Sequence, residues 1–203
     1  MSLMEICRYK LTPILLLACV PLFVNAQSQS SDLLQKAQDH VELLHATLLQ
    51  AMQTPDHEQR ETLLKPVLNA VFDVQNIARI SIGRTWRKLS AADQELLVQQ
   101  LEQLVVATYA DRFDSYNGQQ FSNGDAEVAR SGQLVKSTIT RADGSEVSLD
   151  YYLRGGLIFN VVADGVSDLS LRRADYSSII KNQGYEQLLK HIQQKIEVAR
   201  RGS

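Results

Sequence analysis

Thiols are nearly absent: the 203-residue chain has two cysteines, Cys7 and Cys19, both within its first 26 residues. Without that stretch the chain has no disulfide framework and no thiolate nucleophile, so its stability must come from a core. About 177 residues are enough to build one as a single domain. Basic charge is also in short supply. The formal net charge is −2, and removing Arg8, Lys10 and Glu5 brings it to about −3. Nucleic acid is therefore not an expected partner, because phosphate binding requires a basic field. Past residue 26 no apolar run is long enough for a membrane helix. There is no GxGxxG or Walker loop and no G-x-S-x-G elbow, and Gly155-Gly156 precedes a strand, so it reads as a turn. Tryptophan occurs once, at Trp86, and the four histidines, His40, His45, His57 and His191, are spread over three helices. His40 and His45 are five apart and so do not share a helix face, and no zinc site is expected. All four read as partly exposed helix positions.

What is present begins with a leader. MSLMEICRYK carries Arg8 and Lys10, an apolar run LTPILLLACVPLFV follows, and Val24-Asn25-Ala26 places small residues where a signal peptidase reads. This pattern marks residues 1–26 as a signal peptide cleaved after Ala26, leaving 27–203 as one domain. The competing reading is a lipobox at Leu16-Leu17-Ala18-Cys19. Against it, the apolar run continues past Cys19 through Val20, Leu22 and Phe23.

Along the rest of the chain, Gln27 to Ser31 reads as a flexible tail. Leu34, Ala37, Val41, Leu44 and Leu48 recur at spacings of three and four, which predicts a helix from Ser31 to about Met52. Thr54-Pro55 predicts a restart, with Pro66 kinking or splitting the second helix. Asp73 can cap a short helix, VQNIARISI, that Gly83 ends. Ser90 with Asp93 resembles a capping box that opens a long helix at Ala91. From Phe121 the period changes to two, and Asp125–Arg130, Leu134–Thr140, Glu146–Leu153 and Leu157–Ala163 read as four strands joined by short hairpins. The last, LIFNVVA, is apolar almost throughout and is expected to be covered on both faces. Asp164-Gly165 ends the sheet, and two helices separated by Gly184 close the chain. The fold class is α+β: a four-stranded curved antiparallel sheet packed against several helices, with either a filled core or an apolar cavity between sheet and helices. Asp150 and Asp164 are the acids considered for proton transfer. Strand alternation turns Asp150 toward solvent and Tyr151 inward.

Residues 72–112, FDVQNIARISIGRTWRKLSAADQELLVQQLEQLVVATYADR, resemble the signature of the MlaC/toluene-tolerance family of periplasmic lipid-binding proteins. Phe72, Asp73, Ala78, Gly83, Trp86, Arg87, Leu89, Ser90, Gln94 and Tyr109 fall at its positions. Residues 161–195 look like the family's closing segment. Gly156 and Asn160 depart from it, standing where the family has a tryptophan and an aspartate. SDLSLRRADYSSII looks closer to the hopanoid-associated HpnM branch, and GVS closer to the phospholipid branch. The resemblance implies a periplasmic carrier of phospholipid or a hopanoid-type lipid, with no cofactor and no bond chemistry. Its implied partners are an outer-membrane lipoprotein complex and an inner-membrane ABC transporter with its MCE ring. An enzyme on the same scaffold, or a scaffold subunit that carries no lipid, are the alternatives. The residues expected to line the lipid site are Phe72, Ile77, Ile80, Trp86, Leu101, Val105, Tyr109, Val147, Leu149, Tyr151, Phe159, Val161 and Val166. Trp86 is either a wall of this site, with Arg84, Arg87 and Lys88 near its rim, or a plain core anchor between two helices.

Overall fold

The computed structural model describes residues 24–202. Residues 1–23 of the expected leader, with Cys7 and Cys19, lie outside the described residues, and its last three, Val24-Asn25-Ala26, are helical. Helix α1 (Val24–Met52) buries Ala37, Val41, Leu44 and Leu48, the stripe that the spacing of three and four requires. It also takes in the Ser/Gln stretch expected to be a tail. Helix α2 (His57–Val71) starts two residues later than Thr54-Pro55 suggested: Asp56 is the cap and its carboxylate accepts from the Gln59 N–H at 2.8 Å. The Thr54 and Pro55 carbonyls are held outside the helix by the guanidinium of the buried Arg60, which donates to them at 2.9 and 2.7 Å. Its Nε donates to the Ala110 carbonyl at 2.7 Å. Pro66 does not split α2. It stands on the exposed side, where water can take the carbonyl that its missing N–H leaves free.

Phe72 steps out of α2 and bridges the sheet at Ile158, and the Asp73 N–H donates to the Ile158 carbonyl at 2.9 Å. The Asp73 side chain caps α3 (Val74–Ile82) through the Asn76 N–H, and Gly83, with φ +56, lets the chain leave it. A 3₁₀ turn, Gly83–Lys88, carries Trp86. Ser90 then opens α4 (Ala91–Arg112): its hydroxyl accepts from the Asp93 N–H at 3.1 Å and donates to the Asp93 carboxylate at 2.7 Å. This is the expected capping box with aspartate in the glutamate place.

The sheet has six strands, where the sequence pattern suggests four: β1 (Gln120–Asn123), β2 (Glu127–Ala129), β3 (Gly132–Thr140), β4 (Glu146–Arg154), β5 (Leu157–Ala163) and β6 (Val166–Ser167). All pairings between strands are antiparallel, in the order β1-β3-β4-β5-β6, and β2 shares β3 with β1. The two additional strands are too short to show a period. β1 pairs with the far half of β3 and β2 with its start, so the strand expected at Asp125–Arg130 is β2, and β1 precedes it. Asp164-Gly165 does not end the sheet. With φ of +46 and +79 it is a tight turn that folds β6 back onto β5. β5 is buried at Ile158 and Phe159 but only half-buried or exposed beyond them, so LIFNVVA is not covered on both faces along its length. Helices α5 (Asp168–Gln183) and α6 (Tyr185–Arg201) follow, parted by Gly184 at φ +89. Gly132 has no substitute: at φ +143 a Cβ there would lie 2.1 Å from the Leu153 carbonyl oxygen.

Candidate functional site

Strand alternation sends Leu149 and Tyr151 of β4 and Val161 and Ala163 of β5 to one face, as cross-strand partners. The bulge between Tyr152 and Leu153 inserts Phe159 into the pairing, turning its ring to the same side. Across from these residues stand Phe72, Ile77 of α3, and Val105, Thr108 and Tyr109 of α4, with Phe113 beyond the helix end. They enclose a cavity of ≈ 310 Å³, at the lower end of the range for small-molecule sites. Rings set much of its shape. Tyr109 meets Phe72 edge-on at 5.7 Å and stacks on Phe113 at 5.7 Å. Burial pushes the Tyr109 phenol up, with the Asp168 carboxylate adding to the shift, and burial pushes Tyr151 up as well. Both stay neutral at any ordinary pH.

The mouth lies where β6 and the first turn of α5 face the end of α4. Val166 is 54% exposed and Leu171 60%, and both line the cavity with Leu169, Asp168, Arg172, Arg112 and Asn160. Asn160, at the family's aspartate position, accepts through Oδ1 from the Ser167 hydroxyl at 2.9 Å and the Leu169 N–H at 3.2 Å. It thereby fixes the start of α5 against β5. Ser167 caps the helix by accepting from the Ser170 N–H. A carboxylate would accept both bonds, so an amide suffices here.

Of the thirteen residues expected at the site, nine line this cavity: Phe72, Ile77, Val105, Tyr109, Leu149, Tyr151, Phe159, Val161 and Val166. Four lie elsewhere. Leu101 is wholly buried on the core stripe of α4. Ile80 is half-buried on α3, past the turn that holds Ile77. Val147 faces the right way, but it pairs with Ile139 near the start of β4, short of the cavity. Trp86, 9% exposed, belongs to the hydrophobic core, and its carbonyl accepts from the Gln94 side chain at 2.9 Å. That bond ties the 3₁₀ turn to α4 and makes Trp86 a corner anchor and not a cavity wall. Arg84, Arg87 and Lys88 do not line the cavity either. Sequence reasoning missed Arg112, Asn160, Asp168 and Arg172, because an apolar pattern passes over charged and amide groups. The signal was DLSLRRADY, where Asp168, Arg172 and Tyr176 stand four apart on one helix face.

Neither acid considered for proton transfer lines the cavity. Asp150 pairs across the sheet with Lys136, and its neighbour Tyr151 takes the inner face. Asp164 is exposed in the β5–β6 turn, where its carboxylate accepts from the Ser148 N–H at 2.9 Å. Among the described residues no three of His, Cys, Asp or Glu are grouped as a metal site, and no helix is long and apolar enough to cross a membrane.

His45 departs from expectation. It is 4% exposed, stacked on Phe121 at 4.0 Å, with Nε2 2.9 Å from the Tyr151 hydroxyl. Burial lowers its pKa to about 4, and the Asn123 carboxamide offsets part of that. In the folded state it is neutral at pH 6.5, where the unfolded chain is half protonated. Its contribution is therefore present above pH 6.5 and is lost as pH falls toward 4, by about 3 kcal/mol. Urea unfolding at pH 7 and pH 4 should show this loss reduced by that amount in His45→Gln. An unchanged difference would mean that His45 is not the titrating group.

An α+β fold that leaves an apolar cavity with a polar mouth between sheet and helices is a small-ligand-binding domain. The chain belongs to the MlaC family: the family's model, described as MlaC protein, matches residues 38–194. No curated protein matches it in sequence. Among solved structures the fold is similar to that of the phospholipid-binding protein from Ralstonia solanacearum in complex with a phospholipid. The TM-score is 0.68 at 17% identity, over 81% of this chain and 96% of that one.

Proposed function

We propose that this protein is a lipid carrier of the periplasm, shuttling phospholipid or a related membrane lipid between an outer-membrane lipoprotein complex and an inner-membrane ABC transporter with its MCE ring. The observation that carries the reading is the cavity itself, a space bounded by Phe72, Tyr109, Phe113, Tyr151 and Phe159 and open at one end. Each methylene moved from water into such a wall gains about 0.8 kcal/mol. A membrane lipid crosses an aqueous gap only if its tails are shielded in this way. The Ralstonia solanacearum structure, a phospholipid complex on a similar fold, supports the same reading. A two-tailed lipid needs more room than ≈ 310 Å³, so loading widens the cavity. The two acids considered for proton transfer, Asp150 and Asp164, do not line it, and Asp168, which does, is paired with Arg172.

The test is organic extraction of purified protein followed by lipid mass spectrometry. Near-stoichiometric lipid is expected, and its identity separates phospholipid from hopanoid-type cargo. Protein that emerges empty and takes up no lipid from vesicles would overturn the reading.

A further inference from the structure

The cations around Trp86 have no part in the apolar cavity, and a separate cleft lies beside this turn. It holds ≈ 340 Å³ and is lined by Asp73, Gln75, Asn76 and Arg79 along the start of α3, by Trp86, and by Arg154 at the end of β4. None of these residues lines the cavity. Two guanidiniums here meet one carboxylate, and that carboxylate already caps α3, accepting from the Asn76 N–H at 2.9 Å. Arg84, Arg87 and Lys88 flank Trp86 in the 3₁₀ turn and are exposed. Among the described residues none of Arg79, Arg84, Arg87, Lys88 and Arg154 forms a salt bridge. This is a local excess of cations on a chain whose formal net charge is −2.

The cleft also holds a buried donor without an acceptor. Asn76 is 8% exposed. A guanidinium can only donate, so Arg79 Nη2, at 2.6 Å, fixes the amide oxygen of Asn76 toward itself. The Asn76 Nδ2 is thereby turned away from Arg79, and no group accepts from it. A buried N–H left in this state is costly until an oxygen arrives. Arg154 is preset as well. Its Nε donates to the Ser131 carbonyl at 3.4 Å and its guanidinium stands 5.0 Å over the Phe159 ring. Among the described residues nothing accepts from its two Nη groups.

We propose that this cleft docks an acidic segment of a partner protein. One carboxylate of the segment seats between Arg79, Arg154 and the Asn76 amide, and neighbouring acids meet Arg84, Arg87 and Lys88. A carboxylate suits the set: its two oxygens take the fork of a guanidinium and keep lone pairs for the amide N–H. An anionic membrane surface suits it less, because interfacial binding needs apolar side chains to bury, and neither α3 nor the turn exposes a large one. The inference stands apart from lipid carriage, since cleft and cavity share no residue.

The test is an NMR titration of the ¹⁵N-labelled full chain with a hexaglutamate peptide at low salt, with hexaglutamine as the uncharged control. Hexaglutamate alone should give saturable shifts at the Asn76 carboxamide and the Trp86 indole, and added salt should weaken them. Arg79→Gln and Arg154→Gln, both at exposed positions, should each raise the Kd by about tenfold, the worth of one charge-assisted hydrogen bond. Lys181→Gln, which removes an exposed cation of α5, should leave the Kd unchanged. All three variants should carry as much extractable lipid as the wild type, so the docking site and the lipid site stand or fall separately. No shift at Asn76, or a Lys181→Gln protein weakened as much as Arg79→Gln, overturns the site. Binding to phosphatidylglycerol vesicles without any shift from the peptide also overturns it, and assigns the patch to a membrane.

Discussion

Val161→Trp should leave the purified protein with about a tenth or less of the wild-type lipid, while its thermal midpoint moves by no more than a few degrees. Val161 stands opposite Tyr151 in the β4–β5 pairing and lines the cavity. It is half-buried because part of its surface faces space instead of packed atoms. In a filled core, forcing an indole into a valine site costs about 1–3 kcal/mol in strained rotamers and displaced backbone. Here the added ring enters volume that a tail would occupy, so the penalty falls on the ligand instead of the fold. Each 1.4 kcal/mol of lost affinity is about tenfold in occupancy at limiting lipid. The measurement is lipid per protein by mass spectrometry, paired with a thermal melt. Wild-type lipid content in a folded variant would show that this cavity is not where the lipid goes.

Arg60→Leu should destabilise the protein by about 4 kcal/mol, from three hydrogen bonds at about 1–3 kcal/mol each when buried carbonyls lose their donor. At about 3 °C per kcal/mol for a domain of this size, the midpoint drops by about 12 °C. Arg60 is 6% exposed, and the bonds described for it all go to main-chain carbonyls: Thr54 and Pro55 in the turn between α1 and α2, and Ala110 in the last turn of α4. The cation thus meets the negative end of the α4 dipole and fastens that helix end to the α1–α2 corner. Leucine fills the space but offers no N–H. A loss below about 1 kcal/mol in urea titration would show that water reaches those carbonyls instead.

The sequence showed the elements wherever a local signal set the boundary. Asp73, Ser90 and Gly184 each mark a helix end with a side chain or a φ that few residues supply, and α3 and the start of α4 lie where those residues place them. It misled where a tertiary bond decided. Thr54-Pro55 has the form of a helix start, but Arg60, six and five residues farther on, claims both carbonyls. The strands missed, β1 and β6, are two to four residues long and are held by pairing with β3 and β5, which no short-range pattern encodes. The apolar walls were legible through strand alternation, as Leu149, Tyr151 and Val161 show. The polar mouth was not, because Asp168 and Arg172 read as a solvated helix face until β6 brings that face beside β5. Trp86 was open to two readings, a wall of the site or a core anchor between helices, and only its burial in the folded chain distinguishes them.

The outer margin of β5 is occupied at both ends, by Phe72 and Asp73 at Ile158 and by the two residues of β6 at Val162 and Ala163. At the other margin β3 is shared between two strands of three and four residues. The edges a second molecule could zip onto are therefore short, two to four residues each. For a protein whose greasy interior would stand vacant between cargoes, such brief edges limit self-association through the β-structure.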